Sequence, residues 1–262
     1  MRLDCNALVG NWPFRKFRCN TIEGVEKLHK RFNIDGGFVS SAEAIFYNDP
    51  LEADFELAKQ LEGKDNYRQI ITVNPALPGT VPNIKRALRE LNPAGVRIYP
   101  NYHEFKIISP EMDAIAEICS EHKLPLYITF RMDDPRCEYI IKSRRVPIWD
   151  VLIFCQNHKD FPIVLCNVRC SEVSAMKGML SVQDNVCVDA CGLKELVFNY
   201  EPLYEKGLTK QIVYGSCMPL YTLSSSVYLI DLALVPDEEK ERVMSAKALI
   251  DILDDRYKPI IK

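Results

Sequence analysis

Short apolar segments rich in β-branched residues alternate along the chain with amphipathic segments. The short segments predict strands, because a buried parallel strand is a brief, nearly continuous apolar run. The segments between them repeat apolar residues every three or four positions, which predicts helices. Pro110, Pro147 and Pro236 precede or open such segments, where a missing N–H costs little. The predicted strands are 2–9, 37–41, 69–74, 95–100, 124–130, 162–168, 185–190 and 211–216, and helical periodicity is clear in 84–91, 112–119 and 148–155.

The order of these elements predicts one fold class. Eight strands, each followed by helical material, indicate an α/β protein with a parallel (β/α)₈ TIM barrel, and 262 residues form one such domain over 1–262. A doubly wound open sheet is the alternative, but it usually carries a Gly-rich first βα turn, which this sequence lacks. Because a TIM barrel places its chemistry at the C-terminal ends of the strands, polar residues at strand ends are the candidates for function.

Composition excludes several classes of partner. Lys and Arg number 33 and Asp and Glu 36, a net charge of -3, which gives no electrostatic case for nucleic acid or an anionic membrane surface. No apolar run approaches the roughly 18 residues that span a bilayer. The N-terminus lacks the pattern of a signal peptide, so the ten cysteines are expected to be reduced thiols in a cytoplasmic protein.

The first and the last predicted strands carry two short motifs. Residues 4–8 read Asp-x-Asn-x-Leu, and residues 215–219 read Gly-Ser-Cys-Met-Pro. They resemble motifs of the amidohydrolase superfamily, in its amidohydrolase-related or family 2 branch, where the first strand reads Asp-x-His-x-His and the last Gly-Thr/Ser-Asp-x-Pro. Further segments are similar to later parts of the same family, in the same order: 73–75, 95–103, 124–129, 161–167 and 238–253.

The resemblance implies a TIM barrel and, in the family, a divalent metal held by histidines of strands one, five and six and by the aspartate of strand eight. A cation such as zinc needs several anionic or imidazole donors at about 2 Å. Two amides, a hydroxyl, a thiol and a leucine do not supply them, so we expect neither a metal nor another cofactor. The aligned positions are Asn6, Leu8, Thr129, Asn167 and Cys217, of which Asn6, Asn167 and Cys217 are candidate substrate-binding residues.

The fourth predicted strand carries the leading candidates for chemistry. By alternation Arg97 and Tyr99 share one face, and a charged residue inside the barrel is costly unless it is paired or bound to a ligand. Pairing with a barrel carboxylate such as Asp4 or Asp189 and binding of an anionic substrate both stay open. His103 follows the same strand and titrates near neutrality, so it is the first candidate for general acid–base catalysis; a hydrogen-bonded loop histidine is the alternative.

The segment after the fifth predicted strand is rich in charge. One interpretation is a solvated loop. The other joins Arg131 and Arg136 with Arg97 and Arg169 around one mouth, where several guanidinium groups would bind a carboxylate through paired hydrogen bonds. Under the second interpretation Asp134 is a further candidate for moving protons.

Cysteines lie at or just after the ends of the last three predicted strands. Thiolates bind soft metals, but the spacing is not the short Cys-x-x-Cys of structural zinc sites. Alternation also directs Cys166 away from Asn167. A thiolate metal site is therefore the lesser alternative for the group Cys166, Cys170, Cys187, Cys191 and Cys217.

Two functions follow from these patterns. The first is a metal-independent hydrolase of a lactone or ester, or a decarboxylase, acting on a small carboxylate, with arginines binding it and His103 or Asp134 moving protons. The second is a catalytically inactive member of the family that binds a small anion or a protein partner, and homo-oligomer formation stays open in either case. Loss of the metal ligands favours the second function, and retained polar strand ends favour the first. The remaining histidines, His29, His122 and His158, are expected at the surface of predicted helices.

Overall fold

In a computed structural model that describes residues 1–132, 144–195 and 199–261, parallel strands alternate with helices along the chain. The strands are β1 (Leu3–Val9), β2 (Gly36–Ser41), β3 (Tyr67–Gln69), β4 (Ile71–Thr72), β5 (Val96–Ile98), β6 (Leu126–Thr129), β7 (Ile163–Cys166), β8 (Val186–Asp189) and β9 (Ile212–Val213). The helices are α1 (Ile22–Arg31), α2 (Pro50–Leu61), α3 (Thr80–Glu90), α4 (Pro100–His103), α5 (Pro110–His122), α6 (Ile148–Asn157), α7 (Cys170–Ala175), α8 (Lys177–Leu180), α9 (Tyr200–Glu205), α10 (Leu223–Asp231), α11 (Asp237–Met244) and α12 (Lys247–Ile252). In the described part of the chain, no helix has the length and apolar character needed to cross a bilayer.

The strands follow one another around a barrel in chain order. Parallel pairing runs β1-β2-β3 and β4-β5-β6-β7-β8-β9. The third predicted strand, 69–74, is divided into β3 and β4, and between them the Ile70 N–H donates to the Val39 carbonyl at 2.8 Å. At the other interruption of the ladder, the Cys5 N–H donates to the Tyr214 carbonyl at 2.9 Å. The predicted TIM barrel is confirmed, since a doubly wound sheet would place β1 inside the strand order.

A bulge in β1 determines which side chains enter the barrel. Asp4 pairs with Gly37 of β2, but Ala7 pairs with Val39, so β1 carries one extra residue between them. Residues two apart on a regular strand face the same side. Because of the extra residue, Asp4 instead contacts α1 outside the barrel, whereas Asn6 lies among the interior side chains.

The Asp4 carboxylate joins four parts of the fold. It is fully buried and accepts hydrogen bonds from the backbone N–H groups of Asn6 and Ser216, both at 3.0 Å, and from the Ser216 hydroxyl. His29 Nε2 of α1 lies 3.2 Å from it, and His29 Nδ1 lies 3.1 Å from the Tyr67 hydroxyl. A buried charge needs this degree of hydrogen bonding to be tolerated. Through Asp4, β1 is therefore connected to α1, to β3 and to the segment after β9.

The expectation that His29 is a surface residue is wrong. His29 is fully buried, because it continues the inward stripe of α1 formed by Ile22 and Val25. His122 and His158 occupy partly exposed positions.

The end of the chain, residues 238–253, is not one continuous helix. It forms α11 and α12 instead, and Ala246 between them has a left-handed backbone with φ of 49°. A continuous helix cannot pass through a left-handed residue, so the axis changes direction there. The strand residues Ile98 and Ile128 are fully buried, as expected for the barrel.

Replacing Asp4 by Ala should lower the free energy of unfolding by about 3–5 kcal/mol, because His29 and Ser216 then keep buried donors without their acceptor. Urea unfolding followed by circular dichroism measures this. Asp184→Ala is the control, since that side chain is 78% exposed and should change stability by less than about 0.5 kcal/mol. A loss for Asp4→Ala no larger than that of the control would contradict the role of this carboxylate.

Candidate functional site

A buried chain of three polar side chains crosses the barrel interior. The Arg97 guanidinium donates from Nη2 to Asn6 Oδ1 at 2.7 Å, and Asn6 Nδ2 donates to Asp189 Oδ2 at 2.5 Å. All three residues are at most 1% exposed. Of the two carboxylates considered as partners for Arg97, Asp189 is connected to it through the Asn6 amide, and Asp4 faces α1 instead. The amide thus joins a buried cation to a buried anion, which lessens the cost of burying both.

Neighbouring strands hold Arg97 in place. In register, Arg97 lies between Thr72 of β4 and Tyr127 of β6, and its guanidinium carbon is 5.2 Å from the centroid of the Tyr127 ring. At that distance the ring face attracts the cation. Gly215 lets the backbone after β9 approach Asp189 closely, since a Cβ at Gly215 would lie 2.9 Å from the Asp189 Cβ.

Several buried polar atoms around the guanidinium have no hydrogen-bond partner in the described structure. They are Arg97 Nε, Tyr99 Oη, Tyr127 Oη and Thr129 Oγ1. Burial raises the pKa of Tyr99 to about 12, although the Arg97 charge lowers it, and burial also raises the pKa of Tyr127. Both phenols are therefore protonated at neutral pH and can donate. An unsatisfied buried donor costs about 1–3 kcal/mol, so this group of donors favours an acceptor between them.

His103 ends α4 with one ring nitrogen occupied. Its Nε2 lies 3.0 Å from the Ile45 carbonyl, which can only accept, so Nε2 carries the proton and Nδ1 keeps its lone pair. Nδ1 is buried without a partner, and the ring lies edge-on to Tyr99 with centroids 6.1 Å apart. Burial lowers the pKa of His103, against an opposing effect of the Ile45 carbonyl. The imidazole is thus a neutral base at pH 7.

An apolar layer covers the C-terminal mouth of the barrel, and we call it the mouth layer. Trp12 and Phe14, which follow β1, belong to it, and the Trp12 ring lies 5.1 Å from Phe46 and 6.0 Å from Tyr102, edge to face in both cases. In the described chain this layer separates the interior donors from solvent. Its buried members are Leu8, Trp12, Phe17, Ala42, Ile45, Tyr99, Met132, Cys191, Cys217 and Leu220.

Arg131 does not contribute an uncompensated charge to the mouth. Its Nη1 and Nη2 donate to the two carboxylate oxygens of Glu172 at 2.9 and 2.5 Å. Arg131 is thus ion-paired with Glu172, and its convergence with the other arginines on a carboxylate stays a prediction. Sequence reasoning missed Glu172, although a glutamate at the third position of α7 is a capping signal. Arg136 and Asp134 lie outside the described residues.

The last two candidate binding residues take part in backbone turns. Asn167 has φ of 57°, its N–H donates to Asp189 Oδ1 at 2.7 Å, and its amide donates to the Arg131 carbonyl at 2.7 Å. Cys217 has φ of 52° and lies in the mouth layer. Their roles in binding a substrate stay predictions.

The residues present do not fit a divalent metal. Within the described ranges, no three His, Cys, Asp or Glu side chains are placed to hold one. The Asn6 oxygen already accepts from the guanidinium, and Leu8 lies in the mouth layer. Burial raises the pKa of Cys166 well above its usual range, so this thiol, whose Sγ is 4.0 Å from Arg97, stays protonated. A metal would have to displace that proton to bind the thiol, and the thiolate alternative stays the lesser prediction.

No protein-family model and no curated protein matches the sequence. Solved structures do match it. The 5-carboxyvanillate decarboxylase of Sphingomonas paucimobilis is 14% identical, with a TM-score of 0.68 over 96% of this chain and 99% of that one. The 2,6-dihydroxybenzoate decarboxylase of Rhizobium is 9% identical, with a TM-score of 0.70 over 95% and 98%. A protein of Acinetobacter baumannii described as a probable 2-pyrone-4,6-dicarboxylic acid hydrolase, with citric acid bound, is 11% identical, with a TM-score of 0.67 over 96% and 98%.

The chain has a TIM-barrel fold, which it shares with these solved structures. The likeness extends over nearly the whole chain, which agrees with the order of motifs along the sequence. At these identities it establishes the fold alone, so the chemistry has to be argued from the residues of this barrel.

The purified protein should contain no stoichiometric zinc, manganese or iron, because the aligned positions do not form a ligand set. Elemental analysis after expression in metal-supplemented medium measures this, with Cys217→Ser as the companion variant. About one metal per chain in the parent protein, lost in Cys217→Ser, would contradict the expectation and favour a thiolate site.

Stability should depend on pH through His103. The folded pKa lies below the ordinary value of about 6.5, so as pH falls through that value the unfolded chain takes up the proton first and stability is lost. Above that value the contribution is absent. His103→Gln keeps a donor for the Ile45 carbonyl and should lose less stability on acidification than the parent protein in urea unfolding at several pH values. Parallel pH profiles for the two proteins would argue against the buried neutral imidazole, since the other histidines are common to both.

Proposed function

We propose that this chain binds a small carboxylate-bearing lactone or ester inside the barrel and hydrolyses it without a metal. The observation that carries the proposal is the buried Arg97 guanidinium, with its Nε and the Tyr99 and Thr129 hydroxyls unpartnered. Three donors of this kind suit an acceptor-only group, and carboxylates and oxyanions are such groups. In a site closed to water these hydrogen bonds act at low dielectric and are stronger than in solution.

His103 supplies the proton transfer in this proposal. Its neutral Nδ1 takes a proton from a water molecule while the water oxygen attacks the carbonyl carbon of the ester or lactone. The charge that develops on the carbonyl oxygen is stabilised by donors at Arg97 and Tyr99. When the C–O bond to the leaving group breaks, the imidazolium returns its proton to the departing oxygen, and atoms and charge balance.

The tautomer of His103 favours hydrolysis over decarboxylation. Loss of carbon dioxide from a carboxylate leaves a carbanion that needs an acid, whereas a neutral imidazole of lowered pKa is a base. Decarboxylation stays within the proposal as the second reaction. The structural neighbours named for 5-carboxyvanillate, 2,6-dihydroxybenzoate and 2-pyrone-4,6-dicarboxylic acid support a carboxylate as the class of ligand.

A second function, binding without catalysis, is favoured by the mouth layer. Arg97 and Asn6 are each 1% exposed and Tyr99 is fully buried. A ligand that reaches them has to displace part of the layer, whereas recognition of a small anion or a protein partner at the surface requires no such displacement. A cytoplasmic location belongs to the proposal under both functions, and the free thiols of Cys5 and Cys166 support it.

Small carboxylates should raise the melting temperature of the protein, because a ligand that binds only the folded state stabilises it. Thermal-shift measurement with a panel of mono- and dicarboxylates tests this. Arg97→Ala should weaken the interaction by about 1.5–3 kcal/mol, the contribution of a charge-assisted hydrogen bond. Arg144→Ala is the matched control, since that side chain is 77% exposed and lies away from the interior chain of polar groups.

Two outcomes would reject the carboxylate proposal. In one, no carboxylate shifts the melting temperature at millimolar concentration. In the other, a shift is present but survives Arg97→Ala as it survives Arg144→Ala.

A further inference from the structure

We propose that Arg97 is a built-in cation, placed where the resembled family holds its divalent metal and positioned by Asn6 and Asp189. The inference deepens the proposed function and rests on it only for the identity of the ligand. Asn6 contacts the guanidinium directly, and Asp189 is connected to it through the Asn6 amide. Both are positioning residues, which do not act on the substrate themselves.

The Arg97 guanidinium is held by a residue of β1, Asn6. Asn6 is aligned with the first histidine of the family motif on strand one, a ligand of the metal. Here the Asn6 oxygen still accepts from a cation, namely Arg97 Nη2 at 2.7 Å. In the resembled family this position faces a metal ion, whereas here the cation is a side chain of β5 and Asn6 is its acceptor.

The Asn6 amide has charged groups of opposite sign on its two sides. Asn6 presents its oxygen to Arg97 and its NH₂ to Asp189. The reverse orientation would place the NH₂ against the guanidinium and the oxygen against the carboxylate, both unfavourable. Only the observed orientation satisfies both neighbours, so the two charged groups fix the amide and the amide fixes the guanidinium.

Arg97 keeps its positive charge although it is buried. Burial lowers the pKa of Arg97, but Tyr99, Cys166 and Cys217 raise it, and the net shift is upward. A guanidinium is charged at every pH at which the protein is folded. Unlike a metal, it cannot lower the pKa of a coordinated water, so hydrolysis in this barrel needs a separate base. His103 is that base, and its free Nδ1 lies on the element that directly follows the strand of Arg97.

Chemical rescue tests the built-in cation. Arg97→Ala removes the guanidinium and should lower the melting temperature, and millimolar methylguanidinium should restore part of the loss by occupying the space. The same concentration of methylammonium should restore less, because it cannot donate to Asn6 and to a ligand from one plane. Arg97→Lys should behave as a defective variant for the same reason. An equal response of parent, Arg97→Ala and Arg144→Ala to methylguanidinium would overturn the proposal.

A double-mutant cycle gives an independent measurement. Arg97→Ala and Asp189→Asn should each lower the folding equilibrium constant. The double variant has no unbalanced charge, so its folding equilibrium constant should be at least about tenfold higher than the value expected from multiplying the two single effects. Additive losses would overturn the proposal. If Arg97→Ala alone does not fold, the proposal requires that Arg97→Ala/Asp189→Asn does, and a double variant as defective as the single one would also overturn it.

The outcomes separate this inference from the proposed function. Rescue and coupling without any carboxylate binding would keep the built-in cation and reject the carboxylate. Carboxylate binding in a protein that shows neither rescue nor coupling would keep the ligand and reject the cation.

Discussion

The hydrogen bonds of the Asp4 carboxylate are the constraint on which the rest of the barrel depends. Strand pairing is interrupted between β9 and β1, and at this place Asp4 accepts from the backbone N–H and hydroxyl of Ser216. The same carboxylate is in contact with His29 of α1. Burying a charged group away from water is costly unless hydrogen-bond donors surround it. The segment after β9 supplies two of these donors from Ser216, and in return the Asp4 carboxylate connects that segment to β1 where the strand pairing is interrupted.

The bulge at Asp4 also decides the composition of the interior. Because one extra residue separates Asp4 from Ala7 in register, the carboxylate leaves the barrel and Asn6 enters it. A regular strand would have placed the Asp4 and Asn6 side chains on one face. The amide of Asn6 instead holds the guanidinium at 2.7 Å without neutralising it by contact. The cation therefore keeps hydrogen-bonding capacity that a direct ion pair would have used.

Local patterns predicted the barrel well because each of its strands is a short apolar run with helical periodicity after it. They failed where the backbone changes course without a local signal. Ile70, Ile71 and Val73 give residues 69–74 the β-branched character of one strand. Ile70 itself gives no sign that pairing changes from β2 to β5 there. Ala246 adopts a left-handed conformation that glycine usually marks. His29 was predictable in principle, since Ile22 and Val25 already define the inward stripe of α1.

The candidate site was predictable in its members and not in its connections. Alternation placed Arg97 and Tyr99 on one face, and the strand-end rule selected His103. The pairing of Arg131 with Glu172 and of Arg97 with Asn6 depends on distances between strands that are far apart in sequence. The bulge in β1 in particular has no counterpart in the alternation of residues 2–9, so no period-2 argument could place Asn6 inside and Asp4 outside.

Closure of the mouth gives the interior charge its strength and its cost together. The mouth layer keeps water from Arg97, so a hydrogen bond from the guanidinium acts at low dielectric and is stronger than one at the surface. A carboxylate that enters must lose its hydration, which costs several kcal/mol for an ion placed in such surroundings. A fixed positive charge with unpartnered donors offsets that loss more strongly than neutral amides or hydroxyls do, because charge-assisted hydrogen bonds are the stronger ones. The same burial that excludes solvent therefore favours a cation in this place. The residues present do not form a donor set for a metal, and the Arg97 guanidinium, held by the Asn6 amide, supplies the positive charge.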